Sequence, residues 1–210
     1  GDRDFCVRAL KEGFATIALE QRSMGELDLR DGRMCFQAST TSLLLGRTTI
    51  GERVWDVSRG IDALEKMGLP EIDLQKIMIL GNSGGGTATY YTACLEHRFS
   101  GFMPSCALCT YRDSIIDIHH CTCNYVPRIA RYFDMGDLAV MIAPKKLVVV
   151  SGKEDDIFPL FGVHEVYGEI ARLYEAADAA DHCALVEGEG GHRFYADDAW
   201  PHINAAIKNL

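Results

Sequence analysis

A chain of 210 residues, 48% hydrophobic and 9% aromatic, carries enough apolar material for one filled core and is short for two, which excludes a disordered chain and favours a single domain. Thirty acidic against twenty-one basic residues give a formal charge of -9 with no Lys/Arg cluster, so nucleic acid is not an expected partner. No apolar run approaches the roughly 20 residues that span a bilayer, and the first residues lack a signal peptide's order, so a soluble protein with no membrane partner is expected.

Residues 3–12 read as a short helix that ends at Gly13, and residues 14–19 as a strand without full polar alternation, the pattern of a sheet covered on both faces. Residues 20–50 are the least regular third and suit a loop bordering a pocket, with a short helix around 41–45. Ile50, Val54, Val57, Ile61 and Leu64 recur at spacings of three and four, which predicts a helix over residues 50–67 that Gly68-Leu69-Pro70 stops.

Residues 76–80 then read as a strand, 84–96 as a helix and 101–107 as a further strand. Residues 110–143 form an insertion-like stretch with helix near 127–142. A fully apolar strand at 147–150, a helix at 161–176, a strand at 182–186 and a closing helix at 196–208 complete the chain. Alternating strands and helices imply an α/β fold with a mostly parallel sheet, and a ligand site beyond the strands' carboxyl ends.

The motif that carries chemistry is Gly81-Asn82-Ser83-Gly84-Gly85, a G-x-S-x-G pentapeptide placed directly after the apolar run Ile77-Met78-Ile79-Leu80 and before a helix. That context is a nucleophile elbow: a tight turn whose glycines permit a strained backbone and lift a serine hydroxyl clear of the sheet. A serine hydroxyl is a weak nucleophile near neutral pH and needs a base, which in turn needs an orienting carboxylate. In this motif's setting both lie later in the chain, acid before histidine.

Asp155, just past the strand at 147–150, is the candidate acid, with Asp156 and Glu154 as adjacent alternatives. His192, in the glycine-rich run Gly188-Glu189-Gly190-Gly191-His192 after the last strand, is the candidate base. The backbone N–H of Gly84 is the candidate oxyanion donor. Tyr111, Arg112, His119, Tyr125, Phe158 and Phe194 are candidate pocket walls.

The eight cysteines are expected as reduced, mostly buried thiols of a cytoplasmic protein, a disulfide-bearing exported enzyme being the alternative. His119-His120-Cys121-Thr122-Cys123, with a distant cysteine, could supply zinc ligands, but such adjacency is unlike the separated pairs of zinc sites. Packing and hydrogen bonding are therefore expected there, with no metal and no cofactor.

Taken together, these segments resemble the α/β-hydrolase superfamily, in particular its dienelactone-hydrolase-like and acetyl-xylan-esterase-like branch. The matching pieces are Glu20-Gln21-Arg22-Ser23-Met24-Gly25-Glu26, Trp55-Asp56-Val57-Ser58-Arg59-Gly60-Ile61-Asp62, the Ser83 elbow, the stretch from Gly152 through Asp155 to Pro159, and Gly191-His192-Arg193-Phe194-Tyr195. The similarity runs over nearly the whole chain. It implies a three-layer α/β sandwich in one domain over residues 1–210, and a serine carboxylesterase with Ser83, Asp155 and His192 as its triad.

Small acyl esters are the implied substrates, acetylated sugars among them, with a homo-oligomer left open. A noncatalytic hydrolase-fold binding protein, and a thioesterase or amidase with the same triad, are the alternatives. Trp55, Asp56 and Arg59 look like scaffold residues, with the indole packed inward and the acid and base bonded across the helix turn. One departure stands out: these enzymes normally begin with additional strands, whose last loop supplies a second oxyanion donor, so Gly84 is the one donor that can be assigned.

Overall fold

The computed structural model describes residues 4–28 and 34–208. Among these, four strands form one sheet in the order β1 (Met78–Asn82), β2 (Gly101–Ser105), β3 (Lys146–Gly152), β4 (Cys183–Gly188), every neighbouring pair parallel. The protein is thus an α/β fold with a parallel central sheet flanked by helices.

The inner strands have no polar face because both faces are covered. On β2 and β3, Phe102, Leu147 and Val149 point into one core, whereas Met103, Val148 and Val150 point into the other, each at most 5% exposed. This is the period of two expressed through residues that are apolar on both sides. The first core is closed by α3 (Thr49–Met67), α4 (Gly84–Leu95) and α5 (Leu160–Ala176), through Ile61, Tyr90, Ala93, Val166, Ile170 and Tyr174. The second is closed by α1 (Phe5–Lys11) and α6 (Ala196–Lys208), through Ala9, Ala199, Trp200 and Ile203.

The amphipathic helix predicted at 50–67 is α3. Ile50, Val54 and Ile61 are buried, Val57 and Leu64 lie against the core, and Thr48 Oγ1 caps the start by accepting from the Gly51 N–H at 3.1 Å. Gly68, at φ 58, ends it by donating its N–H to Leu64 O. A left-handed residue after the last turn is the place where glycine costs least.

The expected helices at 84–96, 161–176 and 196–208 and strands at 76–80, 101–107, 147–150 and 182–186 appear with small shifts of their ends. Residue 3 of the first expected helix lies outside the described residues, and the helix itself is α1, with Asp4 and Glu12 flanking its ends.

Four expectations are corrected. Residues 14–19 form no strand: no partner strand bonds their backbone among the described residues, and Ile17 and Leu19 stand 65% and 47% exposed. A strand is a paired object, and composition alone cannot supply the pair. The short helix expected at 41–45 is instead the end of a longer one, α2 (Met34–Leu44), while residues 29–33 of the same stretch lie outside the described residues.

Residues 127–142 hold no α-helix but two short 3-10 turns, Ile129–Arg131 and Gly136–Met141. Asp134 Oδ1 takes the N–H groups of Tyr111 and Met135, and Asp137 Oδ2 takes that of Asp134, so side chains compete with the helical ladder. Trp55 also departs from expectation. It is 59% exposed, stacked under Arg59 at 4.3 Å, and Asp56 pairs with Arg22 rather than across its own helix turn.

Candidate active site

Parallel strands bring their carboxyl ends to one edge, and all the candidate residues follow those ends. Ser83 directly follows β1, Asp155 lies three residues past β3, and His192 four past β4. The register places Asn82 opposite Ser105, Ser105 opposite Val150, and Gly152 opposite Gly188, so the four ends are nearly level.

The elbow is as tight as the pentapeptide implies. Ser83 sits at φ 54 and ψ -121, a region sparsely used by residues that carry a Cβ, so the turn is strained. What holds it is backbone contact. A Cβ at Gly81 would come within 2.5 Å of the Gly85 backbone, and one at Gly86 within 2.6 Å of Ser105 O. The Ser83 N–H donates to Ser105 O at 2.8 Å, and Ser105 Oγ donates to Asn82 Oδ1 at 2.8 Å, tying the turn to β2.

Although Ser83 occupies the N-cap of α4, its hydroxyl makes no capping bond. The Gly84 N–H lies in the first turn of that helix, where amide groups have no intrahelical partner and the dipole favours negative charge.

The acid and base form a close pair. His192 Nδ1 lies 2.9 Å from Asp155 Oδ2, with the Asp155 side chain fully buried and that of His192 20% exposed. Asp155 Oδ1 accepts the N–H groups of Ile157 at 2.9 Å and Phe158 at 3.1 Å. Burial alone would raise the Asp155 pKa, but the His192 bond and the two backbone donors outweigh it and hold the carboxyl below its ordinary value. Its two neighbours, Glu154 and Asp156, are exposed, so of the three acids Asp155 is the one turned to the imidazole.

The loop that carries His192 is clamped onto β3. Lys153 and Glu154 donate their N–H groups to Gly188 O and Gly190 O, and Tyr195 Oη donates to Gly191 O at 2.6 Å. A Cβ at Gly188 would meet the Tyr195 ring at 2.0 Å, and one at Gly152 would meet Gly191 O at 2.3 Å. Glycine is needed at both positions for close approach.

Phe158 stacks on His192 at 5.9 Å and 16°, and takes His120 edge-on at 5.3 Å. His120, bonded to Ser114 Oγ at 2.8 Å, has its pKa lowered mainly by burial and braces the aromatic that braces the candidate base.

The third link is open: among the described residues no hydrogen bond joins Ser83 Oγ to His192.

Of the other candidate pocket residues, Phe158 alone touches this group. Tyr111 is 3% exposed and bonded to Tyr91 Oη inside the core, and Phe194, equally buried, packs tilted against Phe5 at 4.5 Å beside α6. Arg112 is exposed and pairs with Asp113 and Glu165; His119 is exposed; Tyr125 donates its hydroxyl to Ile115 O. Two surface clefts, one beside Phe5 and Asp197 and one beside Arg22 and Thr41, are bordered by none of Ser83, Asp155 and His192.

One neighbour escaped sequence reasoning. Cys106 follows β2, between the strand ends that lead to Ser83 and Asp155; it sits at φ 46 and places Sγ within 4.8 Å of the facing atoms of Asp155 and His192. Burial, then the Asp155 charge, pushes its thiol up to about 12, so it stays protonated, and Sγ donates to Arg193 O at 3.2 Å. Its signal was the end of the 101–107 strand, which the apolar run of residues 106–108 concealed.

No protein-family model matches this chain. The Bacillus subtilis protein named "Putative hydrolase YtaP" is 24% identical over 184 residues, which cover 86% of this chain and 60% of that protein. A carbohydrate esterase family 15 glucuronoyl esterase from Caldicellulosiruptor kristjansonii superposes with a TM-score of 0.66 at 19% identity, over 78% of this chain and 51% of that one. A structure described as a putative acetyl xylan esterase from Bacteroides fragilis gives 0.78 at 12% identity, over 95% of this chain and 61% of that one. The chain therefore spans about half to three-fifths of the length of these proteins. The likeness shows a fold shared with these structures.

Proposed function

We propose that this chain is a serine carboxylic-ester hydrolase with Ser83 as nucleophile, His192 as general base and acid, and Asp155 as the group that orients and charges the imidazole. The single observation that carries the reading is the strained Ser83 turn at the same sheet edge as a His192–Asp155 pair 2.9 Å apart. Strain of this kind costs about 1–3 kcal/mol and persists where function selects it.

In the proposed reaction His192 takes the Ser83 proton as Oγ attacks the ester carbonyl, and Gly84 N–H supports the oxyanion. The alcohol leaves with the proton returned by His192; water, activated by the same imidazole, then releases the acid and frees Ser83. Esters carried on sugars are the first class to assay, since the similar structures carry the names glucuronoyl esterase and acetyl xylan esterase.

A fluorophosphonate probe read by intact mass, with peptide mapping, tests the reading directly. One adduct at Ser83, absent in Ser83→Ala, together with loss of p-nitrophenyl acetate turnover in that variant, is the expected outcome. A folded parent protein that takes no adduct would leave the noncatalytic binding reading in its place.

A further inference from the structure

Cys35 lies in the first turn of α2, and Cys121 and Cys123 flank the first residue of the 3-10 turn Thr122–Asn124, 86 positions later in the chain. Fold topology brings the three thiols together: Cys35 Sγ is 2.9 Å from Cys121 Sγ, Cys123 Sγ is 3.2 Å from Cys121 Sγ, and all three sulfurs lie within 4.8 Å of one another. We propose that Cys35, Cys121 and Cys123 hold one divalent soft metal ion of the zinc class, apart from the Ser83 site and independent of whether that site hydrolyses esters.

A metal accounts for this cluster better than a set of packed thiols does, on three grounds. A thiol is a weak donor and a weak acceptor, so hydrogen bonding gives little reason for three of them to converge, and a disulfide would use two and leave the third. The second is charge. Arg53 is 1% exposed, its Nη2 lies 3.7 Å from Cys35 Sγ and 3.3 Å from Arg22 O, and its Nε and Nη1 have no hydrogen-bond partner. A buried guanidinium so poorly met is costly unless negative charge stands beside it. Three thiolates around a dication carry one net negative charge, which this guanidinium balances; around a monovalent ion they would carry two.

The third ground is the chemistry of the donors. An all-sulfur set selects soft or borderline ions over magnesium and calcium. Zinc–sulfur bonds of about 2.3 Å in tetrahedral geometry set the sulfurs ~3.8 Å apart, so the Cys35–Cys121 separation opens by about 1 Å on binding. Every sulfur that still holds its proton releases it to solvent as its bond to the metal forms. Cys121 is exposed, which gives the ion access from solvent and leaves room for water as a fourth ligand.

The histidines of the same stretch take no part: His120 is bonded to Ser114 and His119 is exposed. An ion here would pin α2 and the 121–123 turn against α3. Arg53 Nη1 lies 3.9 Å from a Cβ built at Gly84, and Asn124 Oδ1 accepts from Thr87 Oγ1, so the pinned corner abuts the Ser83 turn.

The test is titration of the fully reduced chain with cobalt(II) and zinc(II), read by thiolate-to-cobalt charge-transfer absorption and by competition against a chromophoric zinc chelator. One ion per chain is expected, with a sulfur-ligated cobalt spectrum and affinity lowered by more than ~100-fold in Cys35→Ser and in Cys121→Ser. Cys183→Ser, remote from the cluster, should bind as the parent does. Should Cys35→Ser fail to fold, Cys121→Ser carries the test, since that side chain is exposed. Binding no tighter than that of a folded Cys121→Ser variant, or a cobalt spectrum without sulfur bands, overturns the proposal.

Discussion

The two ends of the proposed relay are built differently. At the carboxyl ends of β3 and β4, Asp155 uses both oxygens, the acid loop donates two backbone N–H groups to carbonyls of the His192 loop, and Gly152 and Gly188 let Tyr195 close over them. At the carboxyl end of β1, by contrast, the Ser83 hydroxyl is unbonded among the described residues. Among the described residues, four of the seven buried side-chain polar atoms that lack a partner, Gln21 Oε1, Arg53 Nε and Nη1, and Thr122 Oγ1, belong to residues around that end. The acid–base half is held by the fold in many bonds, whereas the nucleophile's surroundings are held by fewer. An unmet buried polar group costs about 1–3 kcal/mol, so a ligand or ion that satisfies several of them stabilises this corner substantially.

The sharpest way to break that contrast is at its two poles. Ser83→Gly removes the nucleophile together with the Cβ that makes φ 54, ψ -121 unfavourable. Turnover should fall by about 10⁴-fold or more while stability rises by ~1 kcal/mol. Urea denaturation alongside the ester assay checks both, and a destabilised Ser83→Gly would show that the turn stores no strain.

Asp155→Asn, at the other pole, should lose about 10⁴-fold in kcat and also lose stability, by ~2 kcal/mol near neutral pH. The sign of its pH dependence follows from the depressed carboxyl pKa. The stabilisation is present above the unfolded value of about 3.9 and disappears as pH falls through the lower folded value. The parent's advantage over Asp155→Asn in thermal melting should therefore shrink as pH falls below about 4. A constant gap down to pH 3 would mean the carboxylate's charge contributes nothing to the fold.

Much of the fold, and the residues of the proposed relay, have signals in the sequence because those signals are local. The elbow is a contiguous string after an apolar run, and α3, α5 and α6 are amphipathic enough for spacing to find them. What stayed hidden depends on partners far away in the chain. Residues 14–19 have a strand's composition but no ladder. Tyr111 and Phe194 are aromatic in any reading, and only packing shows that they face the core rather than a pocket. The meeting of Cys35 with Cys121 and Cys123 depends on a fold that sets α2 beside the later turn, so spacing within 119–123 pointed away from it. Choosing among three consecutive acids likewise required knowing which one the loop turns inward.

Gly188→Ala tests whether the filled end is held by shape. The new methyl would fall 2.0 Å from the Tyr195 ring, which is 3% exposed and bonded through its hydroxyl to the His192 loop, so the ring cannot simply swing away. Overpacking of this kind costs about 1–3 kcal/mol, and because the displaced ring carries Gly191 O with it, kcat should fall in the same variant. Pairing the change with Tyr195→Leu should recover stability but not the full rate, since the Gly191 contact is gone in both.

Asp156→Asn should do least. Its carboxylate is exposed and makes no bond to His192, which Asp155 already occupies, so stability should move by no more than ~0.5 kcal/mol and kcat/KM should stay at the parent value. The small effect is informative because Asp155 and Asp156 are chemically identical and adjacent. If their two Asn variants were equally impaired, negative charge on the loop would be the active quantity. If they differ by the expected orders of magnitude, the direction in which one carboxylate is turned is what matters, and that direction is set by the Ile157 and Phe158 amides that hold Asp155 Oδ1.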